Sequence, residues 1–194
     1  MDLRNFIFSY RSFTPLPLVL SLLYFANPKT PFLFYGLILA VIGESIRINA
    51  VRYAGGATRT TKVGAPSLCT SGPYSRTRNP LYLGNMIIYL GITLIAGGQF
   101  MWEFLLVVLV FFTFQYSMII SLEEETLIGL FGDDYETYQG NVPRLFPRVY
   151  PWLGTDDRSP MPITKTLQTE IRTLHNIALI LFLIAARTYF RLMI

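Results

Sequence analysis

An all-α, polytopic membrane protein with about five transmembrane helices is the fold class that this sequence predicts. The chain has 194 residues, of which 52% are hydrophobic and only 14% are charged. A soluble domain usually carries about 25% charged residues, so the shortage of charge indicates a membrane protein. The apolar residues gather in long runs, and no internal repeat is present. This composition excludes a disordered chain, collagen and a coiled-coil rod.

Five apolar runs mark the predicted helices. They are residues 13–26, 31–48, 81–96, 102–122 and 174–194. The first run includes Pro15 and Pro17 and could cross a bilayer only together with its flanks, because a crossing takes roughly 20 residues. The last run holds His175, Arg187 and Arg191, and long arginine side chains near a helix end can reach the lipid headgroups.

The placement of positive charge orients these helices. Two long polar segments are rich in basic residues, whereas the short links 27–30 and 97–101 hold one lysine between them. The basic residues concerned are Arg52, Arg59, Lys62, Arg76 and Arg78, and then Arg144, Arg148, Arg158, Lys165 and Arg172. By the positive-inside rule both polar segments face the cytoplasm. Arg187 and Arg191 then lie outside, a conflict that a tail helix lying in the membrane interface would resolve.

The two polar segments, residues 49–80 and 123–150, belong to a single membrane domain that covers 1–194. Glycine and proline break any long helix in the first segment. The second opens with Glu123 to Glu125, continues as an amphipathic helix through Tyr138, and stops at Gly140. Residues 151–162 form a proline-rich linker, so 151–194 is read as linker and tail helix.

Several kinds of chemistry are excluded by the residue types. No glycine-rich phosphate loop and no paired histidines or cysteines are present, so no metal site is expected. The single cysteine, Cys69, cannot form an internal disulfide and is interpreted as a small packing residue. The only histidine, His175, begins the tail helix, where a membrane-interface role suits it better than that of a catalytic base.

What remains is a group of polar residues at one membrane face. Pro80 suits the first turn of the third helix, with Asn79 as its N-cap, and free N–H groups there favour a carboxylate or carbonyl oxygen. Glu123 to Glu125 fall where the fourth helix leaves the membrane. Three acids at a helix C-terminus oppose the helix dipole, so a cationic partner is expected. Taken singly, these are also ordinary membrane anchors and solvated turn residues.

Two motifs together resemble a known family. The run GPYSRTRNPLYLGN, residues 72–85, is followed after a helical hairpin by EEETLIGLFGDDYETYQGNVPRLFP, residues 123–147. This combination is similar to the integral membrane methyltransferases related to isoprenylcysteine carboxyl methyltransferase and phosphatidylethanolamine N-methyltransferase. The resemblance covers about residues 50–148. It implies S-adenosylmethionine as cofactor, held by loops and short helices at the cytoplasmic face, and a lipid or lipid-anchored acceptor that enters from the bilayer. Nucleic acid and metal are not expected as partners.

The resemblance also assigns residues. The expected cofactor-binding residues are Leu68, Cys69, Gly72, Tyr74, Arg78, Asn79, Tyr82, Glu123 and Glu124. Glu123 and Glu124 would hold the amino group or ribose of the cofactor, and Tyr74 and Tyr82 can offer aromatic faces to its sulfonium. Catalytic roles are expected for Asn79, Glu124 and Arg144. Arg144 would face the substrate headgroup or close a lid formed by residues 133–148, and a lipid-phosphate anchor is its alternative role.

Two positions depart from the carboxyl methyltransferases. Where those proteins carry Arg-His-Pro, this chain has Arg-Asn-Pro, with Asn79 in the middle position. Where they carry an arginine one helical turn before the glutamate pair, this chain has Ile119. Asparagine cannot become cationic or act as a base. The two departures argue against a prenylcysteine carboxylate as the acceptor more than they argue against the cofactor. If the acceptor is an amine, it must lose a proton, and Glu124 or a headgroup phosphate would receive it.

Two alternatives remain open on the sequence. A membrane reductase of the sterol reductase type would bind the phosphates of NADPH through Arg52, Arg59, Arg76 and Arg78, although the glutamate cluster would repel that cofactor. A non-catalytic membrane scaffold of the same fold is the second alternative, and the substitutions at Asn79 and Ile119 are its best support.

Overall fold

Seven α-helices and one short 3₁₀ helix account for most of the described residues, 2–55 and 63–193, of the computed structural model. The α-helices are α1 (Leu3–Tyr10), α2 (Leu16–Phe25), α3 (Phe32–Ala54), α4 (Pro80–Ala96), α5 (Met101–Phe131), α6 (Asp133–Asn141) and α7 (Ile163–Met193). The 3₁₀ helix is Gly72–Ser75. No strand occurs in this part of the chain, so the predicted all-α class is confirmed. Arg59 and Lys62 of the predicted basic segment lie outside the described residues.

Among the described residues, three helices are long and apolar enough to cross a membrane, namely α3, α5 and α7. Two further apolar helices, α2 and α4, are shorter. The five apolar runs predicted from the sequence therefore all form helices, but two of them are below the length of an ordinary crossing. At 1.5 Å per residue, α4 is about 25 Å long and α2 about 15 Å, compared with roughly 30 Å for the hydrocarbon core of a bilayer.

The short helix α2 continues the path of α1 along α5. At one end, Arg4 of α1 pairs with Glu125 of α5. In the turn between α1 and α2, the Thr14 hydroxyl donates to the Gln115 side chain at 2.7 Å. At the other end, the rings of Phe25 and Phe104 lie 5.9 Å apart. The two helices in series thus follow most of α5, with the interruption at the prolines that the sequence shows.

The most extensive packing in the molecule joins α3 and α4 through glycine. An added Cβ at Gly36 would lie 2.5 Å from the Gly91 carbonyl oxygen, and one at Gly43 would lie 2.7 Å from the Gly84 carbonyl oxygen. Both helices therefore approach backbone to backbone. Membrane helices associate through such small-residue stripes, because close approach increases van der Waals contact where no hydrophobic driving force exists.

The helix α5 is longer than the sequence predicts. Its expected end at residue 122 is wrong, since the helix continues to Phe131 and the three glutamates lie inside it. They consequently do not oppose the dipole at a C-terminus. The extension is stabilised by a small apolar cluster, in which Leu127 and Ile128 pack against buried Tyr135 and Tyr138 of α6. Gly132, with φ of 51°, makes the turn between the two helices.

The tail helix α7 also begins earlier than predicted, at Ile163 rather than residue 174. The added turns bring Glu170 against Arg47 of α3, with 2.6 Å between Glu170 Oε2 and Arg47 Nη2. Farther along, Ile184 is buried in a cluster with Leu22 and Ile92 from α2 and α4. A buried ion pair and an apolar contact therefore hold α7 along the bundle.

We predict that alanine at Gly36 destabilises the protein, whereas alanine at Gly129 of α5 does not. The new methyl group at Gly36 would collide with backbone atoms, and such overpacking costs about 1–3 kcal/mol. Nothing lies within 4 Å of a Cβ added at Gly129, so that replacement gains helix propensity of up to about 1 kcal/mol. Thermal unfolding in detergent micelles should show a lower Tm for Gly36→Ala and an unchanged or higher Tm for Gly129→Ala. Equal Tm values for the two variants would contradict the tight α3–α4 contact.

Candidate functional site

A cavity of about 720 Å³ lies where α3, α4, α5 and α7 meet the segment 64–69 and the turn between α1 and α2. Eight of the residues predicted for the site line it. They are Leu68, Cys69, Tyr74, Arg78, Asn79, Tyr82, Glu123 and Glu124. Gly72 and Arg144 do not line this cavity. The two sequence motifs, about 40 residues apart along the chain, are thus brought to one place.

The carboxylate of Glu124 joins the two motifs. Arg78 Nη2 donates to Glu124 Oε1 at 2.7 Å, and Arg78 Nε donates to the same oxygen at 3.0 Å. Arg144 donates to the second oxygen, Oε2. Glu124 and Arg78 are nearly inaccessible to solvent, whereas Arg144 remains 45% exposed. A carboxylate so placed is neutralised on both oxygens, as a buried charge must be.

Arg78 also orders the chain after α6. Its Nη1 donates to the carbonyl oxygens of Gln139, at 3.0 Å, and Val142, at 2.5 Å. These carbonyls belong to the last turn of α6 and the residue after it, so the guanidinium caps that helix end. One side chain therefore connects the beginning of α4 with the interior of α5 and the end of α6.

Glu123 has different surroundings from its neighbour. Its Oε1 accepts a hydrogen bond of 2.8 Å from the Tyr82 hydroxyl. No cation of the described residues lies within ion-pair distance of it. The third glutamate, Glu125, is exposed and pairs with Arg4. The three adjacent glutamates thus have three different surroundings. Glu123 is the one with no guanidinium hydrogen-bonded to it in the described structure, although Arg11, which also lines the cavity, acts on its charge electrostatically.

Asn79 occupies the predicted N-cap position of α4, but the prediction that its side chain caps the helix is wrong. Its Nδ2 donates instead to the Arg144 carbonyl oxygen at 2.9 Å. Pro80 does begin the helix, as expected. The asparagine therefore fixes the segment that carries Arg144, next to the ion pair of that arginine with Glu124. Ile119, the second departure from the carboxyl methyltransferases, is fully buried in the core beside Phe112 and Tyr116.

Gly72 does not line this cavity and instead packs closely against Tyr53 of α3. An added Cβ there would lie 2.4 Å from the ring of Tyr53, and its φ of 58° also favours glycine. The residue therefore allows the 3₁₀ helix to pack on α3. It lines a second cavity of about 500 Å³ on the other side of this segment, together with Asp156 and Trp152.

Aromatic hydroxyls and one thiol complete the lining near residues 68–74. Tyr138 donates its hydroxyl to the Tyr74 carbonyl oxygen at 2.8 Å, which ties α6 to the 3₁₀ helix. Burial raises the pKa of Tyr74 and of Tyr138 above the usual value for a phenol, so both remain neutral. Burial likewise raises the pKa of the Cys69 thiol to about 11, despite the opposing charge of Arg158.

Two residues that the sequence analysis assigned to a linker fix the conformation of residues 68–71. Asp156 Oδ2 accepts hydrogen bonds from the backbone N–H groups of Thr70, at 2.8 Å, and Ser71, at 3.2 Å. Arg158, itself paired with Asp156, donates to the Leu68 carbonyl oxygen at 2.7 Å. The proline-rich composition of residues 151–162 gave no signal of these long-range contacts.

Sequence reasoning also missed a polar wall at the level of the membrane helices. Arg47 donates to Glu170, at 2.6 Å, to Asn85, and to Thr173, at 3.3 Å. All four residues line the cavity. The available signal was the occurrence of Glu44 and Arg47 within an apolar run, since ionisable residues inside a membrane helix are costly and commonly functional.

Comparison with known proteins gives the chain a family context. A model of the phospholipid methyltransferase family matches residues 32–134, just over half of the chain. Methanethiol S-methyltransferase 2 of Bradyrhizobium diazoefficiens is 31% identical over 114 residues, which cover 58% of this chain and 42% of that protein. Protein-S-isoprenylcysteine O-methyltransferase of Schizosaccharomyces pombe is 38% identical over 82 residues, 42% of this chain and 34% of that protein.

A third relative has a different name. Cobalt-zinc-cadmium resistance protein CzcN of Cupriavidus metallidurans is 32% identical over 119 residues, which cover 61% of this chain and 49% of that protein. The chain thus spans less than half of the length of these curated relatives. No solved structure matches it significantly. Groups of three or more histidine, cysteine or acidic side chains able to hold a metal ion do not occur among the described residues.

The pKa of Cys69 gives a direct test of the cavity lining. Since burial raises this pKa to about 11, the fraction of reactive thiolate should still increase about tenfold per pH unit between about pH 8 and about pH 10. We therefore expect the rate of alkylation by iodoacetamide to rise across this range without a plateau. The denatured chain, whose thiol has an ordinary pKa near about 8.5, is the control and should level off. A plateau near pH 9 in the folded protein would show that Cys69 is not buried as described.

Proposed function

The chain belongs to the phospholipid methyltransferase family, and from this premise we propose that it transfers a methyl group from S-adenosylmethionine to a lipid-like or prenylated amphiphile. The observation that carries the proposal is the convergence of both family-like motifs on one cavity, joined through Glu124. We further propose that this cavity faces the cytoplasm, because arginines concentrate at this end of the helices.

The side chains in the cavity fit the charges of S-adenosylmethionine. When bound, the cofactor supplies a methyl group on a positively charged sulfonium. Tyr82 and Tyr74 line the cavity and can offer aromatic faces to that cation. Glu123 lines the cavity and forms no salt bridge among the described residues, so we propose that it holds the ammonium group or the ribose hydroxyls. The backbone of Leu68 and Cys69, held by Arg158, supplies further polar groups.

The two glutamates then have different functions. Glu124 was expected to be a catalytic residue, but both of its oxygens are bonded to arginines. We propose that Glu124 acts as a positioning residue that fixes Arg78 and Arg144. If the acceptor arrives protonated, Glu123 is the better proton acceptor of the pair, because no arginine is hydrogen-bonded to its carboxylate among the described contacts.

An amphiphilic acceptor suits the remaining walls. Besides Tyr82, the lining includes Phe8 of α1, Phe13 in the turn between α1 and α2, and the polar wall of Arg47 and Glu170. A methyl transfer by direct displacement requires mainly that donor and acceptor are aligned and that water is excluded. The relatives' names specify both O- and S-methylation, so similarity leaves the accepting atom open.

Arg144 is placed to act at the entrance. Its side chain is 45% exposed while it is bonded to Glu124, and its carbonyl oxygen is held by Asn79. We propose that this guanidinium contacts the polar headgroup of the acceptor from the edge of the cavity. This assignment combines two roles expected from the sequence, those of headgroup partner and of lid residue.

One of the arginines that NADPH would need is already paired, since Arg78 donates to the Glu124 carboxylate. Arg52 and Arg76 donate to the neutral carbonyl oxygens of Met161 and Val149, and Arg59 lies outside the described residues. The ion pair of Arg78 and the Glu123 and Glu124 carboxylates that line the cavity support the methyl donor over a reductase cofactor. A non-catalytic scaffold of the same fold would bind S-adenosylmethionine without transferring its methyl group.

We predict that the purified protein binds radiolabelled S-adenosylmethionine saturably and that Glu123→Gln weakens this binding roughly tenfold or more, the usual loss on removing a charge-assisted hydrogen bond. Glu125→Gln is the matched control, because Glu125 is exposed and pairs outside the cavity. Binding should not be displaced by excess NADPH. Absence of saturable binding, or equal affinities for Glu123→Gln and Glu125→Gln, would refute the assigned cofactor site.

A further inference from the structure

Four large apolar side chains lie exposed within a short segment after α6. Phe146 is 79% exposed, Val149 77%, Tyr150 77% and Leu153 90%. They belong to residues 144–153, which we call the apolar loop. Soluble surfaces rarely present such contiguous apolar patches, and larger patches mark interaction sites. The apolar loop does not belong to a predicted membrane helix, so the composition of the helices does not account for it.

The conformation of the apolar loop is fixed by the protein beneath it. Arg148 N donates to the Arg76 carbonyl oxygen at 2.9 Å, and the Arg76 guanidinium donates to the Val149 carbonyl oxygen. Thr77 Oγ1 donates to the Leu145 carbonyl oxygen at 3.0 Å. At the far end, Trp152 N donates to the Ser75 carbonyl oxygen at 2.8 Å. The backbone is therefore held inward along its length, and the four apolar side chains point outward as a consequence.

These anchors place the apolar loop at the edge of the membrane. Arg76 and Thr77 precede Pro80, the first residue of apolar helix α4, by only a few residues. Leu145 packs against the core cluster that includes Phe8 of α1 and Tyr116 of α5. The loop thus lies beside the beginning of α4, where hydrocarbon gives way to lipid headgroups.

The apolar loop and the preceding helix α6 carry charges of opposite sign. The loop contains Arg144 and Arg148 and no acidic residue, and Arg76 lies directly beneath it. Arg76 and Arg148 donate to neutral carbonyl oxygens, so their positive charges are not cancelled by these contacts. In contrast, α6 carries Asp133, Asp134 and Glu136 in its first turn. Cations near a bilayer surface are attracted to anionic lipids, whereas acids are repelled.

We propose that the apolar loop is seated in the headgroup layer of the bilayer, with Phe146, Val149, Tyr150 and Leu153 inserted below the phosphates. Arg76 and Arg148 then lie at the level of the phosphates of anionic lipids. Side chains with an apolar body and a polar tip, such as Tyr150, are favoured at this depth. The occupant is the lipid surface itself, and the inference does not depend on the proposed methyl transfer.

The test is site-directed spin labelling of the full-length protein. Phe146→Cys and Leu153→Cys are each made in a Cys69→Ser background, which removes the only native thiol. Matched controls are Phe34→Cys, exposed on the membrane helix α3, and Thr137→Cys, exposed on α6. Each protein is reconstituted in vesicles of phosphatidylcholine, alone or with phosphatidylserine. Power saturation then compares collisions of the label with oxygen, which concentrates in lipid, and with a water-soluble nickel chelate.

Labels at positions 146 and 153 should collide more with oxygen than with the chelate, as at position 34, and phosphatidylserine should increase this preference. The label at position 137 should show the reverse. If positions 146 and 153 resemble position 137, the loop is in water and the proposal is wrong. If both reagents are excluded there, protein covers the patch, and this also overturns it. Equal values in the two kinds of vesicle would overturn the role of the arginines.

Discussion

The buried carboxylate of Glu124 is the constraint on which the site depends. A charge of this kind is tolerated away from water only when it is paired and hydrogen-bonded, and Arg78 and Arg144 satisfy both oxygens. Each arginine comes from a different part of the chain. The requirement to neutralise Glu124 therefore brings the beginning of α4 and the segment after α6 against the C-terminal part of α5. The cavity lies beside this junction and is lined by both Arg78 and Glu124.

A second buried ion pair, that of Arg47 with Glu170, joins the membrane helices α3 and α7. Glycine lets α3 and α4 approach at backbone distance, which brings Arg47 close to α4 and leaves it to pair with Glu170 of α7. The chain thus uses its few charges in pairs that join elements distant in sequence. Glu123 stands apart, since its hydrogen-bond partner is the neutral hydroxyl of Tyr82. In a fold with so few charged residues, a carboxylate that lines the cavity and forms no salt bridge in the described structure is the natural place for a positively charged ligand.

Much of this arrangement could be predicted from sequence, and the limits have physical causes. Hydropathy identified the apolar helices of the described residues, and the resemblance of two motifs to a known family led to eight residues that line one cavity. Helix ends were less predictable, because α5 and α7 are extended by tertiary contacts of Leu127 and Glu170 that leave no local pattern. The anchoring of residues 68–71 by Asp156 and Arg158 was invisible for the same reason. Asn79 has the sequence of an N-cap, yet a carbonyl oxygen of a distant segment competes successfully for its side chain.

The central claim, methyl transfer to an amphiphile, is tested most directly with S-adenosylmethionine that carries a trideuterated methyl group. Membranes containing the protein are incubated with this donor, and mass spectrometry of the organic-solvent extract and of the membrane proteins detects the labelled methyl group. The account predicts a labelled amphiphile that is absent from membranes without the protein and reduced when Glu124→Gln disturbs Arg78 and Arg144. If a protein shown to bind the donor yields no labelled product beyond that of the control membranes, the site binds the cofactor without using it, and the account is contradicted.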